Sequence, residues 1–238
     1  MTGCCLVLVA CLGLAQVGWG QSLVDNFNGS TINTSVWNTF NPSFGNGGMS
    51  ESSGVLTFRN GSYITTVNEF NMPTISGRFS FSGWEYDRFN ILLRSDGVSI
   101  DSGWQVPIGG LRVQFTPSSN PDFGASQTLH FYDLPNGFNQ LGSAAPFIAM
   151  NTYYDFKIVD TGNLISVFWD NNTTPIFSYA TSVSYGNFIQ IGNREQAAGS
   201  WPPPYFANLD WISIIPEPSV YSLLALSGVM VVLGGRRR

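Results

Sequence analysis

Hydrophobic and polar residues alternate along most of the chain between residues 21 and 215. Arg78–Ser82 and Leu111–Phe115 both show this alternation, which is typical of β-strands with one buried and one exposed face. No stretch of this region carries a hydrophobic stripe at helical spacing with capping residues at its ends. Further strands are predicted at Val55–Phe58, Tyr63–Thr66, Asn90–Arg94, Thr128–Tyr132, Asp155–Ile158, Leu164–Trp169, Ile176–Tyr179, Phe188–Ile191 and Phe206–Ile214.

These short strands, separated by turns and by loops rich in proline and glycine, predict one all-β domain over residues 21–215. Strands spaced roughly 8–12 residues apart are typical of an antiparallel β-sandwich. The region is long enough to bury a single sizeable hydrophobic core.

The first twenty residues have the features of a secretory signal peptide. Cys4–Val17 is apolar and uncharged, and the small residues Gly18 and Gly20 precede Gln21, as a signal peptidase requires. The three cysteines of the chain all fall in this segment. Its removal would leave an exported protein with no disulfide, no thiolate zinc site and no cysteine nucleophile.

The C-terminus, residues 216–238, has three consecutive parts. Pro216, Glu217 and Pro218 precede the uncharged run Ser219–Gly235, and Arg236, Arg237 and Arg238 end the chain. The run would span ~25 Å as a helix, just long enough to cross a thinned bilayer with the arginines on the cytoplasmic side.

This arrangement resembles the PEP-CTERM sorting signal of Gram-negative bacteria. The resemblance implies that an exosortase, a membrane protease, recognises Pro-Glu-Pro. The protein would be anchored briefly in the inner membrane and then released to the cell surface or the extracellular matrix. The alternative is a plain transmembrane anchor that nothing processes.

The domain itself resembles the concanavalin A-like lectin/glucanase jelly rolls. The resemblance rests on Val24-Asp25-Asn26-Phe27-Asn28-Gly29, on Trp37, on Ser53-Gly54-Val55-Leu56-Thr57-Phe58 and on the closing strand Leu209–Ile214. It implies that the first and last strands lie side by side. It also implies a structural Ca²⁺ held by the carbonyls of Asn26 and Gly54 and by the carboxylate of Asp210; the alternative is that Asp210 only accepts hydrogen bonds.

Charge and composition exclude one class of partner. The formal net charge is −5, only 11% of residues are charged, and Lys157 is the single lysine. A nucleic-acid-binding protein needs a basic patch or stripe, so no nucleic-acid partner is expected.

The catalytic residues of a glycoside hydrolase are not evident in the sequence. The enzymes of the resembling family carry Glu-x-Asp-x-Glu on one strand, where alternate positions share a face. Glu85–Asn90 supplies only two acids and comes too early, whereas Leu111–Phe115 is well placed but holds none. The single histidine, His130, has no accompanying Gly-x-Ser-x-Gly motif. We therefore expect no catalytic residues and no enzymatic activity.

Carbohydrate binding is expected instead, at aromatic side chains that can stack on sugars. The candidate residues are Trp84, Trp104, Trp201 and Tyr205, with Arg94 as a polar partner. The alternative is that these rings cap the sandwich core.

Taken together, the sequence predicts an exported, non-catalytic β-sandwich that binds glycans or serves as a matrix component. Two alternatives stay open: a divergent glycoside hydrolase or lyase that acts on extracellular polysaccharide, and a purely structural surface protein.

Overall fold

The computed structural model describes residues 21–42, 48–101, 106–193 and 206–216, and these residues form fifteen β-strands and no helix. The strands are β1 (Leu23–Asp25), β2 (Trp37–Phe40), β3 (Gly48–Ser52), β4 (Val55–Arg59), β5 (Tyr63–Thr66), β6 (Pro73–Phe81), β7 (Phe89–Ser95), β8 (Leu111–Phe115), β9 (Leu129–Asp133), β10 (Asn139–Ala144), β11 (Tyr154–Asp160), β12 (Leu164–Trp169), β13 (Phe177–Ala180), β14 (Phe188–Asn193) and β15 (Phe206–Pro216).

The strands form two antiparallel sheets. Sheet I has the order β13-β12-β11-β6-β15-β4-β3, and β1 also pairs with β15; sheet II has the order β10-β9-β8-β7-β14-β5-β2. The predicted all-β antiparallel sandwich is therefore confirmed. The pairing of β1 with β15, in which Leu23 lies opposite Ile214, also confirms that the first and last strands are neighbours.

The core lies between the sheets and is rich in aromatic rings. Phe79 of sheet I stacks on Phe89 of sheet II with ring centroids 4.5 Å apart, and its ring is 5.1 Å from that of Phe115. All three side chains are fully buried. Such ring pairs contribute more than their buried area alone, so this cluster holds the two sheets together.

A buried ion pair also joins the sheets. Arg94 lies at a β-bulge of β7, with a positive φ of 48°, and its Nε and Nη2 atoms donate to the Asp160 carboxylate on β11 at 2.8 and 2.6 Å. The Nη1 atom donates to the carbonyls of Thr181 and Val183 at 3.1 and 2.7 Å. Because the bulge rotates this side chain out of the normal alternation, Arg94 points to sheet I.

The predicted signal peptide and sorting signal lie almost entirely outside the described residues, so the limits at residues 20 and 216 stay predictions. In the ranges that the structure describes, no helix is long and apolar enough to span a membrane. The predicted C-terminal membrane segment, Ser219–Gly235, is outside those ranges.

Candidate functional site

Sheet II has an outer face that is unusually polar for a buried surface. On β8, Leu111, Val113 and Phe115 point into the core, so Arg112 and Gln114 point to the opposite face, as the two-residue period of a strand requires. Every residue of β8 is nevertheless buried, including those on the outer face. The outer face of sheet II is thus itself covered.

The register places four polar side chains of three neighbouring strands together. Asn90 of β7 lies opposite Gln114 of β8, and Gln114 lies opposite His130 of β9. Arg112 shares the outer face of β8 with Gln114. Adjacent strands are about 4.8 Å apart, so opposite side chains are in contact range. We call Asn90, Arg112, Gln114 and His130 the polar cluster.

Each member of the polar cluster is at most 4% exposed and has buried polar atoms without a hydrogen-bond partner. These atoms are Oδ1 of Asn90, Nε and Nη1 of Arg112, Nε2 and Oε1 of Gln114, and Nε2 of His130. More than nine in ten buried polar groups of native proteins are hydrogen-bonded, and leaving one unpaired costs about 1–3 kcal/mol. A cluster of such atoms on one face is characteristic of a site that binds a polar ligand.

A glycine opens the space beside the cluster. Gly192 of β14 lies between Tyr63 of β5 and Asn90 of β7 in the register, and the Asn90 Nδ2 atom donates to the Tyr63 hydroxyl at 2.8 Å. A Cβ atom at residue 192 would lie 2.5 Å from Cγ of the Tyr63 ring and 2.3 Å from the Ser62 carbonyl oxygen. Only glycine therefore lets the tyrosine ring cross β14 and reach the cluster.

His130 is held as a neutral imidazole. The pKa of His130 is lowered to about 4, chiefly by burial and to a smaller extent by the positive charges of Arg88 and Arg112, while a hydrogen bond with the Gln127 carbonyl opposes the shift. The ring contacts Phe123 at a centroid distance of 4.2 Å. Its Nδ1 atom lies 3.5 Å from Nε2 of the exposed Gln140 amide. The cluster therefore approaches solvent at this side.

Aromatic and apolar side chains border the cluster. The Arg112 guanidinium lies over the Tyr132 ring, 4.8 Å from its centroid, and 5.8 Å from that of Phe138, and Tyr132 stacks near His130 at 5.9 Å. A small apolar group on the same face consists of Tyr63, Leu92, Val106, Tyr132 and Leu134. Polar groups beside aromatic rings can bind the hydroxyls and the faces of sugar rings.

The outward positions of the described strands of sheet II hold no aspartate or glutamate. Asp87, one of the two acids considered in Glu85–Asn90, is fully buried. Its carboxylate accepts from the backbone N–H groups of Trp84 and Phe206 at 3.0 and 3.1 Å, so it fixes the loop before β7. Glu85 lies in the same loop, before the strand begins.

The predicted ligand-binding residues do not converge in the structure. Arg94 is a correction: it is 7% exposed, and its donors bind Asp160 and two carbonyls, because the bulge directs it between the sheets. Trp84 is partly exposed and packs on Tyr86 with ring centroids 4.4 Å apart. Trp104, Trp201 and Tyr205 lie outside the described residues.

Of the residues predicted for Ca²⁺, Gly54 lies close to Asn26, and strand register places Asp210 between the strands that flank them on β15. The β1–β15 pairing ends at Asp25–Ile212 and the β4–β15 pairing begins at Leu56–Leu209, so Asp210 lies in the gap between β1 and β4. A Cβ built on Gly54 would lie 3.8 Å from the Asn26 carbonyl oxygen. The donor types suit Ca²⁺, although Arg78 Nη1 lies 3.9 Å from the Asp210 carboxylate. No group of three or more His, Cys, Asp or Glu that could hold a metal occurs in the described part of the chain.

The processing and topology residues fall at or beyond the end of the description. Pro216 is the last residue of β15 and lies opposite Pro73. Glu217, Pro218, Arg236, Arg237 and Arg238 lie outside the described residues.

A groove of about 530 Å³ is present on the outer face of sheet I. Its lining includes Asp155, Lys157 and Trp211. The Asp155 carboxylate accepts from Asn171 at 3.2 Å and lies 3.8 Å from Arg78, and Lys157 Nζ lies over the Phe168 ring. These polar groups already have partners, so the polar cluster of sheet II is the stronger candidate.

Comparison with known proteins places the fold. No protein-family model matches the chain, and no curated protein matches it. Among solved structures, the Bacillus licheniformis β-glucanase is similar with a TM-score of 0.57 and 13% identity, over 83% of this chain and 99% of that one. The laminarinase of Flavobacterium sp. UMI-01 gives a TM-score of 0.58 and 15% identity, over 81% and 98%. LamA of Zobellia galactanivorans, solved with laminaritriose and laminaritetraose, gives 0.56 and 14%, over 81% and 97%.

These similarities confirm the glucanase-type jelly roll and correct the functional expectation. A non-catalytic protein was expected because no paired carboxylates are evident in the sequence. The chains that share this fold over four-fifths of its length include a β-glucanase, a lichenase and a laminarinase, and they favour the enzymatic alternative. The expectation of a non-enzyme was therefore wrong.

The sequence reasoning also missed the polar cluster. It assigned His130 no catalytic role, because no Gly-x-Ser-x-Gly motif accompanies it, and noted only that Leu111–Phe115 holds no acid. The sequence did contain a signal for this cluster: otherwise apolar strands carry polar residues at alternate positions, namely Asn90, Arg112, Gln114 and His130.

Proposed function

We propose that this protein is an exported enzyme that cleaves an extracellular polysaccharide bound at the polar cluster of sheet II, on the side where the cluster approaches solvent beside Gln140. The observation that carries the proposal is the polar cluster, in which each of the four side chains has at least one buried polar atom without a hydrogen-bond partner. The similarity of the fold to a β-glucanase and a laminarinase supports it. A fold hosts more than one chemistry, so the reaction is argued from the cluster itself.

The cluster contains groups for both binding and proton transfer. Gln114 and Asn90 offer amide groups that can bind sugar hydroxyls, and Tyr132 offers a ring face. His130 is neutral at physiological pH. Its Nε2 atom can accept a proton in the tautomer that carries the hydrogen at Nδ1, since a neutral imidazole has one donor and one acceptor nitrogen. His130 would then act as the general base.

A glycan-cleavage assay tests this proposal. The purified protein is incubated with soluble neutral and acidic polysaccharides, and new reducing ends are measured. His130→Gln should reduce the rate on the cleaved polymer by about 10²–10⁴-fold, which is the usual contribution of general acid–base catalysis. Lys157→Gln, on the outer face of sheet I, should leave the rate unchanged.

Two outcomes would overturn the proposal. One is a folded protein that releases no reducing ends from any polymer. The other is a rate that His130→Gln leaves unaltered. The pH profile adds a check: the acidic limb should fall near pH 4 in kcat/KM, because His130 loses its acceptor function only when it is protonated.

Export and sorting complete the proposal. An extracellular polymer requires that the enzyme leaves the cytoplasm, which suits the predicted signal peptide. Recognition of Pro216, Glu217 and Pro218 by an exosortase, and brief anchoring in the inner membrane, stay predictions.

The calcium site is a separate proposal about stability. We expect CaCl₂ to raise the unfolding temperature over that in EDTA by on the order of 5 °C, because a ligand that binds only the native state stabilises it. Asp210→Asn should abolish the rise, whereas Asp155→Asn, which removes the other carboxylate beside Arg78, should keep it. An equal rise in both variants would show that Ca²⁺ binds elsewhere.

A further inference from the structure

The charge of the polar cluster distinguishes it from a site for neutral sugars. Arg112 is 4% exposed, and its Nε and Nη1 atoms are buried without a hydrogen-bond partner. No carboxylate pairs with Arg112 in the portion of the chain that the structure describes. A buried cation without a counter-ion is costly, although the chain as a whole is acidic.

Arg88, the other cation near the cluster, has a counter-ion. Arg88 Nη2 lies 3.6 Å from the Asp122 carboxylate, whereas Arg112 contacts only the faces of Tyr132 and Phe138 among the ring contacts and ion pairs described. A guanidinium has planar paired donors that match a carboxylate. The unpaired Gln114 amide lies two residues along the same strand face, about 7 Å away between Cα atoms.

We infer that the substrate is an acidic polysaccharide that contains uronate units, and that the enzyme cleaves it by β-elimination. This inference rests on the proposed function. Arg112 and Gln114 bind the uronate carboxylate, which places the C5 hydrogen of that unit at His130 on the neighbouring strand.

The elimination balances without a co-substrate. His130 Nε2 takes the C5 proton, and the electrons of the C5–H bond form the C4=C5 double bond. The bond from C4 to the glycosidic oxygen breaks. That oxygen leaves with the bonding electrons and takes a proton from the hydroxyl of Tyr132, whose ring centroid lies 5.9 Å from that of His130 on β9. No water is consumed, and the products are an unsaturated uronate end and a new reducing end.

The positive charge of Arg112 is what makes the C5 proton removable. Loss of this proton puts negative charge on the uronate carboxyl group, and fixed donors stabilise charge that develops in a transition state. Hydrolysis by the two-carboxylate route would require a nucleophile and an acid, and the outward positions of the described strands of sheet II supply neither.

The test compares paired polymers with two readouts. Polygalacturonate and alginate are the acidic probes, their carboxyl-reduced forms are the neutral counterparts, and laminarin and lichenan are further neutral probes. New reducing ends report any cleavage, whereas the ultraviolet absorbance of the unsaturated uronate reports elimination alone. We expect both signals with an acidic polymer and neither with its carboxyl-reduced form.

Matched arginine variants test the role of Arg112. Arg112→Gln should lower kcat/KM on the acidic polymer by on the order of 100-fold, as loss of one partner of a buried charge pair does. Arg78→Gln, a half-exposed arginine of sheet I, should leave it unchanged. Calorimetry measures binding of the acidic polymer by Arg112→Gln and so separates a loss of binding from a loss of folding. If the variant is destabilised but still binds the polymer, Arg112 is not the anion site.

The outcomes separate the inference from the proposed function. Reducing ends from laminarin or lichenan, without the unsaturated product from any polymer, would overturn the inference and leave the proposed function standing. No reducing ends from any polymer would overturn both. Equal rates on the acidic polymers and their carboxyl-reduced forms would also overturn the inference.

Discussion

Replacement of Asp160 by alanine is expected to lower the free energy of unfolding by about 3–5 kcal/mol. The Asp160 side chain is 2% exposed and receives two hydrogen bonds from the Arg94 guanidinium. Its removal leaves the Arg94 cation buried without its counter-ion, and that desolvated charge is the main cost. Loss of the Gly162 N–H bond to Asp160 Oδ1, at 2.8 Å, adds to the effect. Urea denaturation followed by tryptophan fluorescence measures the change.

Two controls identify the cause of this destabilisation. Asp155→Ala removes a carboxylate that lies 3.8 Å from Arg78 at the surface, and it should cost no more than about 1 kcal/mol. The double variant Arg94→Met, Asp160→Leu should lose less than Asp160→Ala alone, because no charge stays buried. A double variant as unstable as the single one would mean that the loss comes from packing, not from the unpaired cation.

Central strands of the sandwich could be predicted from the sequence because their pattern is determined locally. Tyr63–Thr66, Leu111–Phe115 and Leu164–Trp169 were predicted with the bounds that the structure has. Each is flanked by other strands and carries large apolar side chains towards the core. In such positions the hydrophobic period reports directly on the buried face.

The strands that were missed lie at sheet edges. β3 (Gly48–Ser52) and β10 (Asn139–Ala144) each end a sheet, and their side chains are mostly exposed or half-buried. An edge strand needs few large apolar residues, and polar side chains there discourage association with other chains. Their alternation is therefore too weak to detect in a single sequence.

The candidate site depends on strand register, which the sequence does not reveal. Asn90, Gln114 and His130 are up to 40 residues apart in the chain and become neighbours only when β7, β8 and β9 pair. Arg94, predicted to bind ligand, is instead buried between the sheets, and this outcome also depends on local register. One extra residue in a bulge turns its side chain from the outer face to the opposite sheet.

Replacement of Phe79 by alanine is expected to lower the free energy of unfolding by about 3–5 kcal/mol, as for other buried phenylalanines. The Phe79 ring is fully buried, and ring centroids of both sheets lie within 6.0 Å of its own. These neighbouring rings belong to Phe81, Phe89, Phe115, Phe156 and Trp169. Because the rings come from both sheets, the cavity cannot close unless the sheets move towards each other, and the loss should be at the upper end of the range.

Phe79→Leu is the matched control, because it keeps most of the volume and should cost roughly 1–2 kcal/mol. Phe168→Ala serves as a second control: its ring is only half-buried and lies on the outer face of sheet I, over Lys157. Equilibrium unfolding in urea gives all three free energies under one set of conditions. If Phe79→Ala cost no more than Phe168→Ala, the ring cluster between the sheets would not be the main contributor to their association, and the sandwich would depend chiefly on its aliphatic side chains.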